Sequence, residues 1–543
     1  MNLNFKHIAG AVLASGCLMA LSSCMYDFTD INRNPLYPDK NQELLDGVLN
    51  SAYLPNLEKH VIPVALKSDN TDLINAYQIS VNLAGDSWVG YHSPRDNHWD
   101  EGVNPTTYFF KDNWNNLTFK FAITNIFTPW IQLRNINMAG ENPNKEIFAL
   151  AQICKVMGVH RATDMFGPIP YSQVGSGSFT VEYDSQEEVY RSFFRELEEA
   201  IIILSDFVEK GNAYVPKASD VVYEGDAKKW IRLANSLMLR LAIRVRYADE
   251  QLARTYAEKA VNNPYGTIDT PADEAKMQQG AGLQIKNPLY QIADKNQYND
   301  SRMGATLHCY LKGYNDPRCA VWFDATASQS KGIRAGMPVT KTEYDNKATF
   351  LKLIQDTPVY WMRASEVCFL KAEAVLAGFD MGGKTARSYY EAGIAMSFEE
   401  CGVALGSYLS NNNKPAAFID PVNPDEYNAT APGNITVAWE EGDDDEVKLE
   451  RIITQKYLAL YPNGQEAWSE WRRTGYPRQV PVVKNLTNAG VKTSDGYKDG
   501  VRRFTYPRSE YQQNNENLQN AIQQYLGGID NASVNVWWDK KNK

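Results

Sequence analysis

The sequence predicts a mainly α-helical protein, in which paired helices form a scaffold and long irregular insertions lie between them. Apolar residues recur at three- and four-residue intervals in segment after segment, which is typical of amphipathic helices. Several of these segments are joined by short connectors, which favours helix pairs. The stretches between the pairs are rich in Gly, Asn, Pro and aromatic residues and are expected to be loops. Paired helices of about 20 residues each indicate tetratricopeptide-like repeats in shape, although the strict repeat signature is absent.

Sequence signals at helix ends support this interpretation. Ser185 and Glu188 have the spacing of a capping box, which predicts that a helix begins there. Asp226 is the predicted N-cap of another helix, and a third is predicted to end before Gly167 and Pro168. The remaining predicted helical segments are marked by Leu44 to Leu54, Trp114 to Trp130, Ile147 to Gly158, Val189 to Leu204, Trp230 to Leu241, Ala253 to Ala260, Glu366 to Ala377, Ala386 to Ser397, Leu449 to Leu460 and Leu518 to Tyr525.

The N-terminus has the pattern of a bacterial lipoprotein signal. A basic residue, Lys6, precedes the apolar run 8–21, and Leu21 to Ser23 leads to Cys24. We expect residues 1–23 to be removed and Cys24 to be acylated. An uncleaved transmembrane anchor is disfavoured, because about fourteen residues are too few to cross some 30 Å of hydrocarbon as a helix. Several acyl chains on one cysteine would hold the protein firmly at a membrane surface.

Composition excludes several classes of function. The chain has 543 residues and a formal net charge of −10, and its acidic residues are not grouped into tails, so nucleic acid is not an expected partner. No phosphate-binding loop, zinc-protease motif or hydrolase nucleophile motif is present in the sequence. We therefore expect no cofactor, no metal site and no catalytic activity. Spacing alone leaves open a pair of glycosidase carboxylates among the 65 acidic residues.

The seven cysteines do not form a disulfide framework. Cys17 lies within the signal, where it is a rival lipidation site with a shorter apolar run before it. The five cysteines after Cys24 are scattered, and most are expected in the core. A bridge between Cys309 and Cys319 stays open at this stage.

Several sequence blocks carry a resemblance to a known family. In chain order the blocks are the cysteine motif ending at Cys24, Arg161 to Tyr171, Asn315 to Arg318, Ala364 to Ala374, Glu391 to Ile394, Glu466 to Pro477, and Arg503 to Pro507 followed by Glu510 and Asn514. Through their order and spacing the chain resembles the SusD/RagB family of outer-membrane nutrient-binding lipoproteins of Bacteroidetes. Within the first helical block, Arg161 and Asp164 are expected to pair across a helix end.

The resemblance implies four degenerate tetratricopeptide-like helix pairs with the insertions on one side as a ligand-binding face. Residues 24–543 then form a single domain. Its scaffold lies mainly in 40–263 and 359–475, and its loop-rich insertions are 66–112, 264–358, 401–446 and 475–543. The resemblance further implies a lipid-anchored protein that faces the cell exterior, binds glycan and passes it to a SusC-like TonB-dependent transporter.

Two aromatic stretches in the insertions are the predicted glycan-binding regions, and the resemblance points to the same regions. Tyr and Trp rings can stack on the apolar faces of sugar rings, while amides and guanidinium groups bind hydroxyls. The candidate residues are Trp88, Tyr91, Arg95, Asn97 and Trp99 in the first stretch and Tyr290, Asn296, Tyr298 and Arg302 in the second. The alternative is that these rings only pack the loops onto the scaffold. Peptide cargo on the same fold and a purely structural adaptor also remain open.

Overall fold

The structure, a computed structural model, describes residues 48–69, 71–96, 103–178, 180–216, 219–280, 283–493 and 499–541. Contacts group residues 50–543 into one compact unit. The predicted signal 1–23 and the predicted acylation site Cys24 lie outside the described residues. The same holds for two of the candidate binding residues, Asn97 and Trp99.

The described chain is mainly helical, as the sequence predicts. The α-helices are α1 (Val48–Val61), α2 (Asp72–Tyr77), α3 (Asp112–Phe119), α4 (Asn125–Asn137), α5 (Lys145–Phe166), α6 (Gln186–Glu209), α7 (Ala227–Val245), α8 (Glu250–Val261), α9 (Pro288–Ala293), α10 (Ala305–Tyr314), α11 (Cys319–Trp322), α12 (Lys341–Tyr344), α13 (Ala364–Leu376), α14 (Ala386–Glu400), α15 (Pro424–Tyr427), α16 (Asp445–Leu460), α17 (Gly464–Thr474), α18 (Arg508–Gln513) and α19 (Asn515–Tyr525). Segments Gln78–Asp86 and Lys120–Thr124 are π-helical, and Pro105–Thr107, Pro271–Asp273 and Tyr408–Ser410 are 3₁₀ turns.

Short strands join distant parts of the chain. The strands are β1 (Ala65–Leu66), β2 (His92–Pro94), β3 (Ile169–Pro170), β4 (Tyr183–Asp184), β5 (Ala275–Met277), β6 (Ile285–Lys286), β7 (Ser301–Met303) and β8 (Val359–Met362). They form four antiparallel pairs, namely β1 with β6, β2 with β7, β3 with β4 and β5 with β8. Two of these pairs, β1 with β6 and β2 with β7, connect segments that lie before α3 and after α8 in the chain, so the insertions 66–112 and 264–358 are joined through their backbones.

The predicted helix ends are confirmed. The Ser185 hydroxyl accepts a hydrogen bond from the backbone N–H of Glu188 at 3.1 Å, and the Glu188 carboxylate accepts one from the Ser185 N–H at 3.0 Å. Asp226 accepts from the first N–H groups of α7. Helix α5 ends at Phe166, and the next residue, Gly167, has φ of 82°, a conformation that favours glycine. These local signals fix where the scaffold helices begin and end.

The scaffold consists of helices that pack in sequence. Helix α5 packs on α4 and α6, α6 on α7, α7 on α8, and α13 on α14 and α16. A buried ionic network links three of them. Arg473 on α17 contacts Glu373 on α13 and Glu470 at 2.6 Å each, and Arg244 on α7 contacts Glu470 at 2.8 Å. Burial alone would raise the pKa of Glu470, but Arg473 and Lys456 hold it well below its usual value.

The insertion 66–112 contains more helix than we expected. Helix α2 continues into the π-helical segment Gln78–Asp86, and Leu73, Ile74 and Val81 are buried along it. Their spacing is that of an apolar helix face, which the surrounding polar residues obscure in the sequence. By contrast, 401–446 contains little helix: a 3₁₀ turn, the short α15 and the first two residues of α16.

The structure also answers two questions about side-chain pairing, the bridge between Cys309 and Cys319 and the pair of Arg161 and Asp164. Cys309 and Cys319 are both buried free thiols, so no bridge joins them. The expected pair of Arg161 and Asp164 does not form. Asp164 instead contacts Arg244 at 3.4 Å, while Arg161 donates to the Val61 carbonyl oxygen at 2.7 Å. Within the described ranges, every helix is too short or too polar to span a membrane.

Candidate ligand-binding surface

Strands β2 and β7 bring the two predicted binding stretches together. His92 pairs with Met303, Ser93 with Arg302 and Pro94 with Ser301. The pairing depends on a close backbone crossing beside it, because a Cβ on Gly304 would lie 2.4 Å from the Gly90 carbonyl oxygen. Segments about 200 residues apart in the chain are thus joined by backbone hydrogen bonds.

Asp345 connects both strands to a third segment. Its Oδ1 lies 2.9 Å from Arg302 Nη2 and 3.4 Å from Arg95 Nη1, and it accepts from Asn299 Nδ2 at 3.4 Å. The Arg302 guanidinium also lies 3.8 Å from the centre of the Phe350 ring. Burial lowers the pKa of Arg302 to about 10 even though Asp345 opposes that shift. Arg302 and Arg95 are both buried, so they hold the loops in place in this structure.

The second stretch presents the accessible groups. Tyr290 on α9 and Tyr298 are half-buried, and Asn296 is exposed on the turn between them. The Tyr298 hydroxyl donates to Asn75 Oδ1 at 3.3 Å, and Gln78 Nε2 donates to Asp300 Oδ2 at 3.0 Å, which ties the turn to α2. We call Tyr290, Asn296 and Tyr298 the docking surface. In the chain, Asn97 and Trp99 of the first stretch follow β2 by a few residues and lie outside the described residues.

Trp88 and Tyr91 are core residues, contrary to the expectation of exposed rings. The Trp88 side chain is 7% exposed, with ring centres of Trp468 and Phe504 at 4.8 and 5.0 Å, and its Nε1 donates to the Pro105 carbonyl oxygen at 3.2 Å. Tyr91 is fully buried, and its hydroxyl donates to the Tyr457 carbonyl oxygen. The turn that contains them enters the core beside α16 and α17, so their ring faces contact other aromatic residues.

Sequence reasoning missed Asp345 and Asn75. Both are single polar residues without a motif, and each lies far along the chain from the group that it holds. No periodicity or spacing signals such a contact. Among the described residues, no cluster of three or more His, Cys, Asp or Glu side chains is arranged to hold a metal ion.

Comparison with known proteins identifies the family to which the chain belongs. The sequence model described as "Susd and RagB outer membrane lipoprotein" matches residues 30–539. The chain belongs to the SusD-like family. It is 36% identical to a chitin-binding SusD homologue from Flavobacterium johnsoniae, with 91% of this chain and 99% of that chain covered and a TM-score of 0.83.

Two further SusD-like structures are similar to this chain. One is a SusD homologue from Bacteroides uniformis, at 37% identity, covering 91% of this chain and 99% of that chain, with a TM-score of 0.80. The other is a SusD homologue from Bacteroides thetaiotaomicron, at 34% identity, with the same coverage and a TM-score of 0.79. No curated protein matches this chain.

Proposed function

We propose that this SusD-like protein is a non-catalytic lipoprotein, anchored to the outer membrane through acylated Cys24, that binds glycan at the cell exterior. In this proposal it passes oligo- or polysaccharide to a SusC-like TonB-dependent transporter. The observation that carries the proposal is the pairing of β2 with β7. This pairing joins the segment that carries Arg95 to the segment that carries Tyr298 and Arg302, so that two half-buried tyrosine rings and one exposed amide lie on the chain that leads into β7.

The chemistry of these groups suits a sugar. Tyrosine rings offer flat apolar area to the C–H faces of a pyranose, and the Asn296 amide can both donate to and accept from hydroxyls. A site with millimolar dissociation constant needs only about −4 kcal/mol, which a few such contacts can supply. Repeated units along a polymer would then increase retention through effective concentration.

Chitin oligosaccharide is the first glycan to test, because the Flavobacterium johnsoniae homologue at 36% identity is described as chitin-binding. Purified protein would be titrated by calorimetry with chitin oligosaccharides, a panel of other glycans and pools of peptides. We expect at least one glycan to bind and Tyr298→Ala and Trp99→Ala to lower its affinity about tenfold or more, equal to about 1.4 kcal/mol. The matched control is Tyr525→Ala, since Tyr525 is 41% exposed on the distant helix α19.

Three results would contradict the proposal. Binding of peptides but of no glycan would assign the surface to peptide cargo. Glycan uptake that stays normal in cells carrying Tyr298→Ala and Trp99→Ala together would favour a structural adaptor. Hydrolysis of any glycan by the purified protein would contradict the non-catalytic assignment.

A further inference from the structure

A cavity is lined in part by α9, the helix that also carries Tyr290 of the docking surface. It has a volume of about 320 Å³ and is lined by residues of α2, α5, α9, α11, β8 and α14 and by the connection between α16 and α17. None of the candidate binding residues that the structure describes lines it. Its volume is at the lower end of the range for small-molecule sites, which is enough for one or two sugar rings.

An incompletely bonded arginine forms part of the cavity wall. Arg161 on α5 is half-buried. Its Nη1 donates to the carbonyl oxygen of Val61, and Val61 is the last residue of α1. A guanidinium has five N–H donors, and no carboxylate within the described ranges forms an ion pair with this one. Burial lowers the pKa of Arg161 to about 10, although Tyr77 and Asp86 oppose the shift. The cavity therefore holds a cation whose charge lacks a direct partner.

The other charged groups on the wall do not neutralise Arg161. Glu366 is paired with Arg240 at 2.6 Å, and Glu400 lies 3.3 Å from Arg363. Burial raises the pKa of Glu400 to about 8, although Arg363 opposes the shift, and its carboxyl also accepts from the Ser365 N–H and hydroxyl at 2.7 Å each. Lys352 adds a second cation. Its Nζ donates to the Ala320 carbonyl oxygen at 3.2 Å and has no ion pair among the residues described.

Flat apolar groups complete the wall. Trp322 and Tyr360 are half-buried, and Val321 beside Trp322 is 36% exposed, which is unusual for a large apolar side chain in this protein. Trp361 is 1% exposed, and its indole N–H has no hydrogen-bond partner. A buried polar group without a partner costs about 1–3 kcal/mol, so a ligand oxygen that accepts from this N–H would recover part of that energy.

We propose that this cavity binds a hexuronic acid unit, with the sugar carboxylate on Arg161 and an apolar sugar face against Trp322 or Tyr360. A carboxylate matches the planar donor fork of a guanidinium, and the ring matches the aromatic wall. The site differs from the docking surface in residues and in ligand charge. Its existence is therefore independent of the function proposed above.

The test compares a charged sugar with its neutral counterpart. Purified protein is titrated with glucuronic acid and with glucose, by ligand-observed NMR and calorimetry at pH 7. We expect glucuronic acid to bind in the millimolar range and glucose to bind about tenfold more weakly or less. Arg161→Met should lower the affinity for glucuronic acid about tenfold, and Arg161→Lys, which keeps the charge but loses the fork, should lower it less.

A second variant at an exposed residue tests the site even if Arg161→Met fails to fold. Lys352 is exposed, so Lys352→Glu should fold normally while it places a negative charge at the cavity, and it should lower the affinity about tenfold. Lys228→Ala, at an exposed lysine at the start of α7, is the control and should leave the affinity unchanged.

Three outcomes would overturn the inference. They are equal binding of glucose and glucuronic acid, unchanged binding in both Arg161→Met and Lys352→Glu, and loss of glucuronic acid binding in Tyr298→Ala. Neutral glycans are titrated in parallel, so failure of this site leaves the result for the docking surface separately readable.

Discussion

Arg95 and Arg302 both contact Oδ1 of Asp345, at 3.4 and 2.9 Å. Arg95 directly follows β2, and Arg302 lies within β7. Arg302 is fully buried, whereas the Asp345 side chain is 27% exposed. The Asp345 carboxylate thus contacts two guanidinium groups and joins three chain segments, while Asp96 lies 3.8 Å from Arg95 as well. Loss of that carboxylate would leave a buried cation without its counter-charge.

Asp345→Asn should therefore weaken both stability and ligand binding. We expect the free energy of unfolding to fall by about 1–3 kcal/mol, since a charged hydrogen-bonded group loses its partner. Glycan affinity should fall as well, because Arg302 loses its counter-charge beside the turn that carries Tyr298, even though an Asn amide oxygen can still accept from Asn299. Urea denaturation and calorimetry measure the two effects. Asp425→Asn, at an exposed position on α15, is the control, and an unchanged unfolding midpoint in Asp345→Asn would refute this role.

Trp88→Ala and Tyr298→Ala should separate packing from binding. Trp88 packs among Phe110, Trp468 and Phe504, so its truncation should lower the free energy of unfolding by about 3–5 kcal/mol. Tyr298→Ala should change stability far less and reduce glycan affinity. Equilibrium denaturation followed by titration of the folded protein distinguishes them. A Trp88→Ala protein of normal stability with weak glycan binding would show that this ring contacts ligand after all.

Gly464→Ala should disrupt the contact between α17 and the π-helical segment Gln78–Asp86. A Cβ on Gly464 would lie 2.2 Å from Asp86 Oδ1 and 2.4 Å from its Cα, so backbone must move. We expect a loss of about 1–3 kcal/mol or more in thermal or urea unfolding, as for overpacked cores. Gly442→Ala is the matched control because a Cβ there meets nothing within 4 Å. Equal stability of the two variants would be inconsistent with the close crossing.

His308 should make the protein sensitive to acid. Burial, with a smaller effect of Lys312, lowers the pKa of His308 to about 3, whereas the unfolded value is about 6.5. Between these values the folded protein binds fewer protons, so the free energy of unfolding falls as the pH drops below about 6.5. From pH 6.5 to 5 this amounts to about 1–2 kcal/mol. His308→Gln should lose less stability over that interval in urea denaturation, and an identical pH dependence would disprove the assignment.

The scaffold was predictable because its signals are local. The capping box at Ser185, the N-cap at Asp226 and the apolar spacing of α6 and α7 all lie within a few turns of the element that they define. Each signal reflects hydrogen bonds or burial that the sequence around it determines. The free state of Cys309 and Cys319 was left open, since spacing does not reveal how thiols are oriented.

The candidate site was predictable only in part. The two stretches do meet at β2 and β7, but the sequence could not indicate which rings face inward. The glycines and polar residues around Trp88 do not show whether its ring contacts solvent or Trp468, because Trp468 lies 380 residues further along the chain. The same reasoning explains the pairing of Asp164 with Arg244 rather than with Arg161. Contacts between distant segments depend on tertiary packing, which a local pattern does not encode.

At the junction of β2 and β7, backbone hydrogen bonds hold the segments together, while side chains form the exposed surface. The N–H and C=O groups that join Ser93 to Arg302 belong to the backbone, and the turn 294–300 precedes β7 in the chain with residues 295–297 exposed. The exposed side chains of that turn, Lys295, Asn296 and Gln297, can change without altering these backbone bonds. A few substitutions on this turn should therefore change which carbohydrate binds without changing the fold. Exchanging the turn between homologues should exchange their ligand specificities.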